Sequence, residues 1–294
     1  MSLIGINIHG SLLKGETKNI KKICNQFSEM GFGCVEFPLE ELGAIIDCRV
    51  NKSVSTMIYQ ILSSYNFKRA LHCGLNLTDP RQTTPKLWRA IIDFANSIDA
   101  ETLIVHGGEI PPSVNREISP KAYKNIFTRT FHNLATFAEG SGVNISIENA
   151  EPRFDERLSD LVNILKGLEL KNIGITLDVG HLYLSAKVHG FDLFRAVREA
   201  LPFLNHVHLA DNFGKTDGLG TRNWTTGLGD LHLPIGWGSV PIKDIIGILE
   251  GNYQGAYLLD LHPRFIDFFP ESLERLQNIL SRGEDKYLRR SHKI

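Results

Sequence analysis

Short apolar runs alternate with longer amphipathic stretches along the whole chain. The short runs are four to six residues long and rich in β-branched and aliphatic residues, as in IGITLD at 173–178, which is typical of buried strands. The longer stretches repeat apolar residues at helical spacing. The pattern predicts eight strands, at residues 3–8, 34–37, 69–72, 102–106, 144–148, 173–178, 206–210 and 256–261.

Helices are predicted between these strands, and several have recognisable ends. Met30 precedes Gly31 and Glu250 precedes Gly251, which is the usual way for a helix to stop. The predicted helices cover 19–30, 85–98, 121–139, 158–168, 193–200, 242–250 and 270–280, with a less definite one at 54–64. Eight alternating units without a break in composition predict a single (β/α)8 barrel over residues 1–281. The basic, polar stretch at 282–294 is predicted to be a solvated tail.

The composition is that of an ordinary globular protein and counts against a membrane-spanning or strongly basic one. The chain has 294 residues, of which 42% are hydrophobic and 22% charged, as in ordinary globular proteins. Its 32 basic and 33 acidic residues leave a net charge of −1, which counts mildly against nucleic acid as a partner. The four cysteines form no CxxC pair, and no apolar run approaches the roughly 18 residues of a membrane span. With no signal-peptide pattern at the start, we expect a cytoplasmic protein that does not bind membranes.

Titratable residues lie at or near the end of every predicted strand. In a (β/α)8 barrel the carboxyl ends of the strands meet at one mouth, where active sites form. The residues are His9, Glu36, His72, His106, Glu148, Asp178, His208 and Asp260. Any one of them could simply cap a helix, but together they would crowd buried charges unless cations neutralised them. The sequence therefore predicts a divalent metal site, with zinc or manganese suited to these nitrogen and oxygen donors.

Two further places in the sequence can supply donors to the same mouth. His181 lies one turn beyond Asp178, so the loop after the sixth strand can provide two ligands. The long segment from Asp211 to Val240 contains GDLHLPIGWG, in which Asp230 and His232 would point to the same side of an extended backbone. The glycines and prolines around them allow the sharp bends needed to fold this segment over the mouth.

The motifs taken together resemble the xylose isomerase-like TIM-barrel superfamily, which holds sugar isomerases and epimerases and the endonuclease IV group of abasic-site nucleases. They are IHGS at His9, CVEF at Glu36, ALHCG at His72, LIVHGG at His106, ISIENA at Glu148, ITLDVGH at Asp178 and His181, HVHLADN at His208, GDLHLPIGWG at Asp230 and His232, and LLDLHP at Asp260. For the sugar-acting members the resemblance implies one divalent metal held by Glu148, Asp178, His208 and Asp260. For the nuclease group it implies three zinc ions shared by these four with His72, His106, His181, Asp230 and His232. Asp260 stands where the family usually has Glu.

Other local features resemble the sugar-acting members. They are Glu36 in CVEF, HGG in place of HPG after the fourth strand, ENAEPR after the fifth strand, and HLAD with HLPIGWG. The resemblance therefore implies a metal-dependent sugar or sugar-phosphate isomerase or epimerase with one to three zinc or manganese ions per chain. Glu148 and Asp260 would act as base and acid while the cation stabilises an enediolate, and His181 would position a substrate hydroxyl.

Two other functions stay open. An abasic-site DNA phosphodiesterase or another multi-zinc hydrolase would use the full set of donors, and only in that case is nucleic acid a partner. A barrel that binds metal or senses a ligand without catalysis would tolerate a less complete set.

Several residues are expected to contact a sugar or sugar phosphate. His9 and Glu36 are predicted to bind it, and Arg153, Arg222 and Arg264 follow strands at positions where they could bind a phosphate or a carboxylate. Surface ion pairs explain these arginines equally well. His206 is expected to be a hydrogen-bonded core residue. The resemblance is also compatible with a homodimer.

Overall fold

A computed structural model of the chain describes residues 2–75, 84–107, 120–150, 158–168, 170–217 and 220–291. It describes the backbone alone at 120, 121, 123 and 282–291.

Eight parallel strands close into a barrel, as the alternating pattern predicts. The ten strands of the described chain are β1 (Ile4–Asn7), β2 (Cys34–Pro38), β3 (Ile45–Ile46), β4 (Arg49–Val50), β5 (Lys68–Cys73), β6 (Thr102–Val105), β7 (Asn144–Glu148), β8 (Ile173–Asp178), β9 (Leu204–Leu209) and β10 (Tyr257–Leu259). The order around the barrel is β1-β10-β9-β8-β7-β6-β5-β2, and β3 and β4 form a separate small hairpin. All eight predicted strands are present, so the (β/α)8 prediction is confirmed.

Helices surround the barrel, and most begin and end near the predicted residues. They are Gly10–Leu13, Asn19–Met30, Lys52–Leu62, Pro85–Ser97, Pro120–Ala138, Leu158–Leu165, Val179–His189, Leu193–Ala200, Ile242–Leu249 and Phe269–Ser291. Val179–His189 was not predicted because most of its residues are buried, which leaves no amphipathic stripe to detect. The last helix continues to Ser291, since the Glu, Lys, Leu and Arg of this polar stretch favour helix even without an apolar face. No helix in the described ranges is both long and apolar enough to cross a membrane.

Local hydrogen bonds fix where the helices start relative to the strands. Thr84 caps Pro85–Ser97 by accepting from the backbone N–H of Leu87, and Asp192 caps Leu193–Ala200 in the same way. Asp178, the last residue of β8, caps the helix that follows it, because its carboxylate accepts the N–H of His181 at 2.6 Å. This cap places His181 in the first helical turn rather than in the predicted loop, directly above the end of β8.

The segment from Asp211 to Val240 folds back over the carboxyl end of the barrel. Its backbone bridges Asp211 to Leu233. The buried carboxylate of Asp211 accepts the N–H groups of Asn212, Gly236 and Val240 at 3.0, 2.9 and 3.0 Å. One side chain thus holds both ends of the segment that carries Asp230 and His232.

Candidate metal centre

All nine donors predicted from the sequence come together at the mouth of the barrel. Eight of them form three groups in which the candidate ligand atoms lie within 4.8 Å of one another: His72 with His106 and Glu148, Glu148 with Asp178 and His208, and His181 with Asp230 and His232. Glu148 belongs to two groups. Asp260 adjoins the second group, because its Oδ2 lies 4.0 Å from His208 Nδ1, and it also lies 3.1 Å from His232 Nδ1.

The first group is formed by two histidines that face one carboxylate oxygen. The Nε2 atoms of His72 and His106 lie 2.8 Å apart, and each lies 3.3 Å from Glu148 Oε2. Burial would lower the pKa of His72, but the hydrogen bond to Glu148 and the charge of Glu36 raise it to about 9. Three donor atoms that converge in this way can chelate a cation, and a bound cation would have to displace the proton.

The second group is centred on His208 at the end of β9. Its Nδ1 lies 3.2 Å from Glu148 Oε1 and 4.0 Å from Asp178 Oδ2. Burial raises the pKa of Asp178 to about 6. The Oδ2 of Asp178 is buried and has no hydrogen-bond partner among the described residues. A buried carboxylate oxygen without a donor is costly, and a cation beside it would remove that cost.

The third group has both histidines held in the tautomer that a metal requires. His181 Nδ1 lies 2.9 Å from the backbone oxygen of Asn149, and His232 Nδ1 lies 2.9 Å from that of Asp260. A carbonyl oxygen can only accept, so each Nδ1 carries the hydrogen and each Nε2 is left to bind. The two Nε2 atoms lie 3.3 and 2.5 Å from Asp230 Oδ2. Burial would lower the pKa of His181, but Asp178 and Asp230 raise it to about 10.

The prediction that an extended backbone points Asp230 and His232 to the same side is wrong. His232 has a φ of 47°, in the left-handed region, so the local chain is not extended. The side chains meet because this turn rotates the imidazole toward Asp230. Arg222 closes the group from outside, with Nη2 2.8 Å from Asp230 Oδ2.

Beneath the second group lies a layer in which His208 meets two more titratable side chains, Glu36 and His206. Glu36 Oε2 lies 2.9 Å from His208 Nε2 and 3.3 Å from His206 Nε2. Glu36, His206 and His208 are only 3%, 3% and 1% exposed. His206 is thus buried in the barrel, as predicted for a core residue, but it also belongs to a potential ligand group with Glu36 and His208.

Two asparagines that sequence reasoning missed hold the donors in place. Asn7 donates to Asp260 Oδ1. Asn149 accepts the N–H of Asp178 at 3.0 Å and donates to its carbonyl at 2.9 Å, so it fixes the end of β8. The sequence marks these two asparagines only by their positions, since Asn7 ends a strand and Asn149 directly follows the donor Glu148. Uncharged amides are common at such positions, so they are hard to identify from the sequence.

A cavity of about 300 Å³ opens beside the donors. Its described lining includes three of them, His72, His232 and Asp260, together with the predicted substrate residues His9, Glu36 and Arg222. His262, which was given no role, also lines it, and burial with the nearby His9 lowers its pKa to about 4. Arg264 is not in this lining; its guanidinium lies 4.2 Å from the ring centre of Trp224. Arg153 lies outside the described residues.

The donor set fits a divalent cation. It consists of imidazole nitrogens and carboxylate oxygens, which suit zinc and manganese. The Oδ2 of Asp178, which accepts no hydrogen bond from the described part of the chain, is available to bind such a cation. The histidines of the third group also donate to backbone carbonyls, and such hydrogen bonds normally orient metal ligands.

Comparison with known proteins agrees with this architecture. Two proteins of Methanocaldococcus jannaschii, "Uncharacterized protein MJ1311" and "Uncharacterized protein MJ1614", are 29% identical over 185 residues and 26% identical over 231 residues. The alignments cover 61% and 75% of this chain and 57% and 81% of the relatives, so the chain matches less than two thirds of the first relative's length.

Solved structures share the fold along almost the whole chain. A D-tagatose 3-epimerase-like protein has a TM-score of 0.73 at 22% identity, covering 97% of this chain and 99% of its own. An L-ribulose 3-epimerase has a TM-score of 0.71 at 12% identity, covering 98% and 97%. The 3-keto-D-glucoside 4-epimerase YcjR of E. coli has a TM-score of 0.69 at 15% identity, covering 95% and 100%. The family model described as xylose isomerase-like TIM barrel matches residues 24–278, and the chain belongs to this family.

Proposed function

We propose that the protein is a metal-dependent isomerase or epimerase of a small sugar. The observation that carries this proposal is the cavity of about 300 Å³ whose wall includes the donors His72, His232 and Asp260. Pockets for small molecules start at roughly this volume, so a single sugar is a better match in size than a polymer. A sugar in this cavity would lie directly against a bound cation.

The structural neighbours support the substrate class. The three named above are described as epimerases or as epimerase-like, and each covers at least 95% of this chain. Their low sequence identity makes the fold the shared property, so the reaction is argued from the residues of this chain.

The second group supplies the donors for such a reaction. Glu148, Asp178, His208 and Asp260 would hold the cation, which would polarise a substrate carbonyl and make the neighbouring C–H more acidic. Asp260 lies in the cavity wall, with Asn7 donating to one oxygen and His232 within 3.1 Å of the other. Burial would raise the pKa of Asp260, but His232 holds it below its usual value, so the side chain is a carboxylate able to accept a proton.

Glu148 would act as the second member of the proton-transfer pair. Burial opposes its ionisation, but His208 and His106 hold its pKa well below the usual range. Its Oε1 lies 3.2 Å from His208 Nδ1, the same atom that lies 4.0 Å from Asp260 Oδ2. Both carboxylates thus lie near the same atom, and we expect one to remove the proton and the other to return it.

Solvent exchange tests the proposal. Protein loaded with Mn²⁺ or Zn²⁺ would be incubated in D₂O with a panel of ketoses and ketose phosphates and followed by ¹H NMR. We expect deuterium at a carbon next to the carbonyl and the appearance of an isomer or epimer, with both lost in Glu148→Gln and kept in the control Asp244→Asn, an exposed site in the helix Ile242–Leu249. Exchange at the wild-type rate in Glu148→Gln would refute the proposed pair.

A multi-zinc hydrolase, including an abasic-site phosphodiesterase, is the second candidate. It is favoured by one observation: the first and third groups provide six donors, of which only Glu148 is needed in a one-metal isomerase. Neighbouring metal ions can activate water and clamp the leaving oxygen of a phosphodiester. Three bound zinc ions, cleavage of an abasic-site duplex and no deuterium exchange would support the hydrolase over the isomerase.

A further inference from the structure

His208 has a carboxylate opposite each ring nitrogen. Nδ1 faces the second ligand group, 3.2 Å from Glu148 Oε1, and Nε2 faces Glu36 Oε2 at 2.9 Å. A neutral imidazole has one N–H, so only one of these nitrogens can present a lone pair. The carboxylate that accepts the N–H decides which nitrogen is free for a metal.

Glu36 is well placed to make that choice and poorly placed to bind substrate. It borders the cavity, but it is only 3% exposed. Its Oε2 lies 2.9 Å from His208 Nε2 and 3.3 Å from His206 Nε2. The side chain is thus directed into the barrel, between two imidazoles, rather than toward the cavity.

The neighbouring strands hold Glu36 in this layer. It lies opposite Asn7 in the β1–β2 register, and Asn7 donates to Asp260. His208 lies opposite Asp178 in the β8–β9 register. The barrel therefore sets Glu36 at the Nε2 of His208, while the Nδ1 of the same ring faces Glu148.

We propose that Glu36 is a positioning residue that acts through His208: it accepts the Nε2–H and so commits Nδ1 to the metal of the second group. This inference rests on the metal binding in the proposed function and not on which reaction follows. It replaces the substrate contact expected for Glu36 from the sequence. Carboxylate partners of this kind typically change metal affinity by 10- to 100-fold.

Metal affinity measured without substrate tests the proposal. Metal-stripped Glu36→Gln would be compared with wild type by competition against a chelating dye for Zn²⁺. The control is Thr176→Val, which removes a hydroxyl that is fully buried in the same barrel interior and that donates only to Ser146 at 2.7 Å. We expect Glu36→Gln to bind the tightest-held ion about 10- to 100-fold more weakly and Thr176→Val to match wild type. Unchanged affinity in Glu36→Gln overturns the proposal.

A spectroscopic measurement on the wild-type holoprotein covers the case in which Glu36→Gln does not fold. In protein with ¹⁵N-labelled histidine and bound Zn²⁺, the His208 signals, assigned with His208→Gln, should show a hydrogen on Nε2 and none on Nδ1. A hydrogen on Nδ1 overturns the proposal.

Two more outcomes separate this role from its alternatives. If Glu36→Gln binds metal normally and only raises KM at saturating metal, Glu36 contacts substrate and the proposal fails. If Glu36→Gln and His206→Gln each remove one ion outright and leave the others unchanged, the layer of Glu36, His206 and His208 is itself a cation site and the proposal fails. Absence of turnover on every sugar would count against the proposed reaction alone.

Discussion

The imidazole of His232 donates from Nδ1 to the backbone carbonyl of Asp260 at 2.9 Å, and its Nε2 lies 2.5 Å from Asp230 Oδ2. This joins the loop that covers the barrel mouth to the end of β10. The same contact turns the Nε2 of His232, the proposed ligand atom, toward Asp230. The position of the loop and the geometry of the third ligand group therefore depend on the same contact.

Removing the charge of Asp230 should weaken that group selectively. In Asp230→Asn the two histidine Nε2 atoms keep their positions but lose the anion between them, so we expect the number of tightly bound ions to fall, or the weakest site to lose at least about tenfold in affinity. Asp244→Asn is the control. Titration calorimetry with Zn²⁺ on metal-stripped protein measures both, and equal binding by the two variants would contradict the assignment of Asp230 as a ligand.

The carboxylate of Asp211 should be needed to place the loop. Asp211→Ala leaves three backbone N–H groups without their acceptor, at a cost of about 1–3 kcal/mol for each that stays buried. We expect a lower melting temperature together with weaker metal binding at the third group.

A matched variant separates loop placement from a general loss of stability. Asp192→Ala removes the cap of Leu193–Ala200, a carboxylate that accepts two backbone N–H groups and belongs to none of the ligand groups. It should lower the melting temperature and leave metal affinity intact. If both variants change metal affinity equally, Asp211 has no specific role.

Asp260 should be sensitive to both charge and length. Asp260→Asn removes the proposed proton acceptor, and we expect deuterium exchange to fall by about 10²- to 10⁴-fold. Asp260→Glu restores the residue usual in the family, but the aspartate is already held by Asn7 and His232, so the longer side chain should also reduce exchange. Wild-type exchange in Asp260→Asn would contradict its proposed role.

The metal-free protein should become less stable as the pH rises above neutral. Neighbouring carboxylates raise the pKa of His72 to about 9 and that of His181 to about 10, against 6.5 for an ordinary histidine. Their stabilising effect is complete below pH 6.5 and is lost as the pH rises through 9 to 10. Bound metal replaces these protons, so metal-loaded protein should keep its melting temperature between pH 6.5 and 9 while the stripped protein loses several degrees. Parallel pH profiles would contradict this account.

The sequence predicted the barrel and the donors because both leave strong local signals. Eight buried strands give eight apolar runs, and Glu148, Asp178 and His208 are charged or titratable residues at the ends of those runs. Which donors meet in one group is harder to predict from the sequence, because the approach of Glu148 to both His72 and His208 depends on the closure of the barrel. The turn at His232 and the amide of Asn149 have no comparable signal: one is a backbone angle, and the other is an uncharged side chain that bonds to main chain.

The roles of other polar residues near the site depend on where their side chains point, and not only on where the residues lie along the chain. Glu36 is predicted near the end of its strand like the other donors, yet in the structure it lies within β2 and its side chain points between His206 and His208. Arg222 and Arg264 both follow strands, yet one pairs with Asp230 and the other stacks on Trp224. The sequence alone does not specify these side-chain directions.

Elemental analysis of protein purified without chelator tests the central claim most directly, which is that these dispersed carboxylates and imidazoles gather to bind divalent cations. We predict at least one zinc or manganese ion per chain, removed by exhaustive chelation and restored on adding the metal, with lower content in Glu148→Gln because Glu148 belongs to two ligand groups. Protein that contains no stoichiometric divalent metal and takes up none would contradict the account.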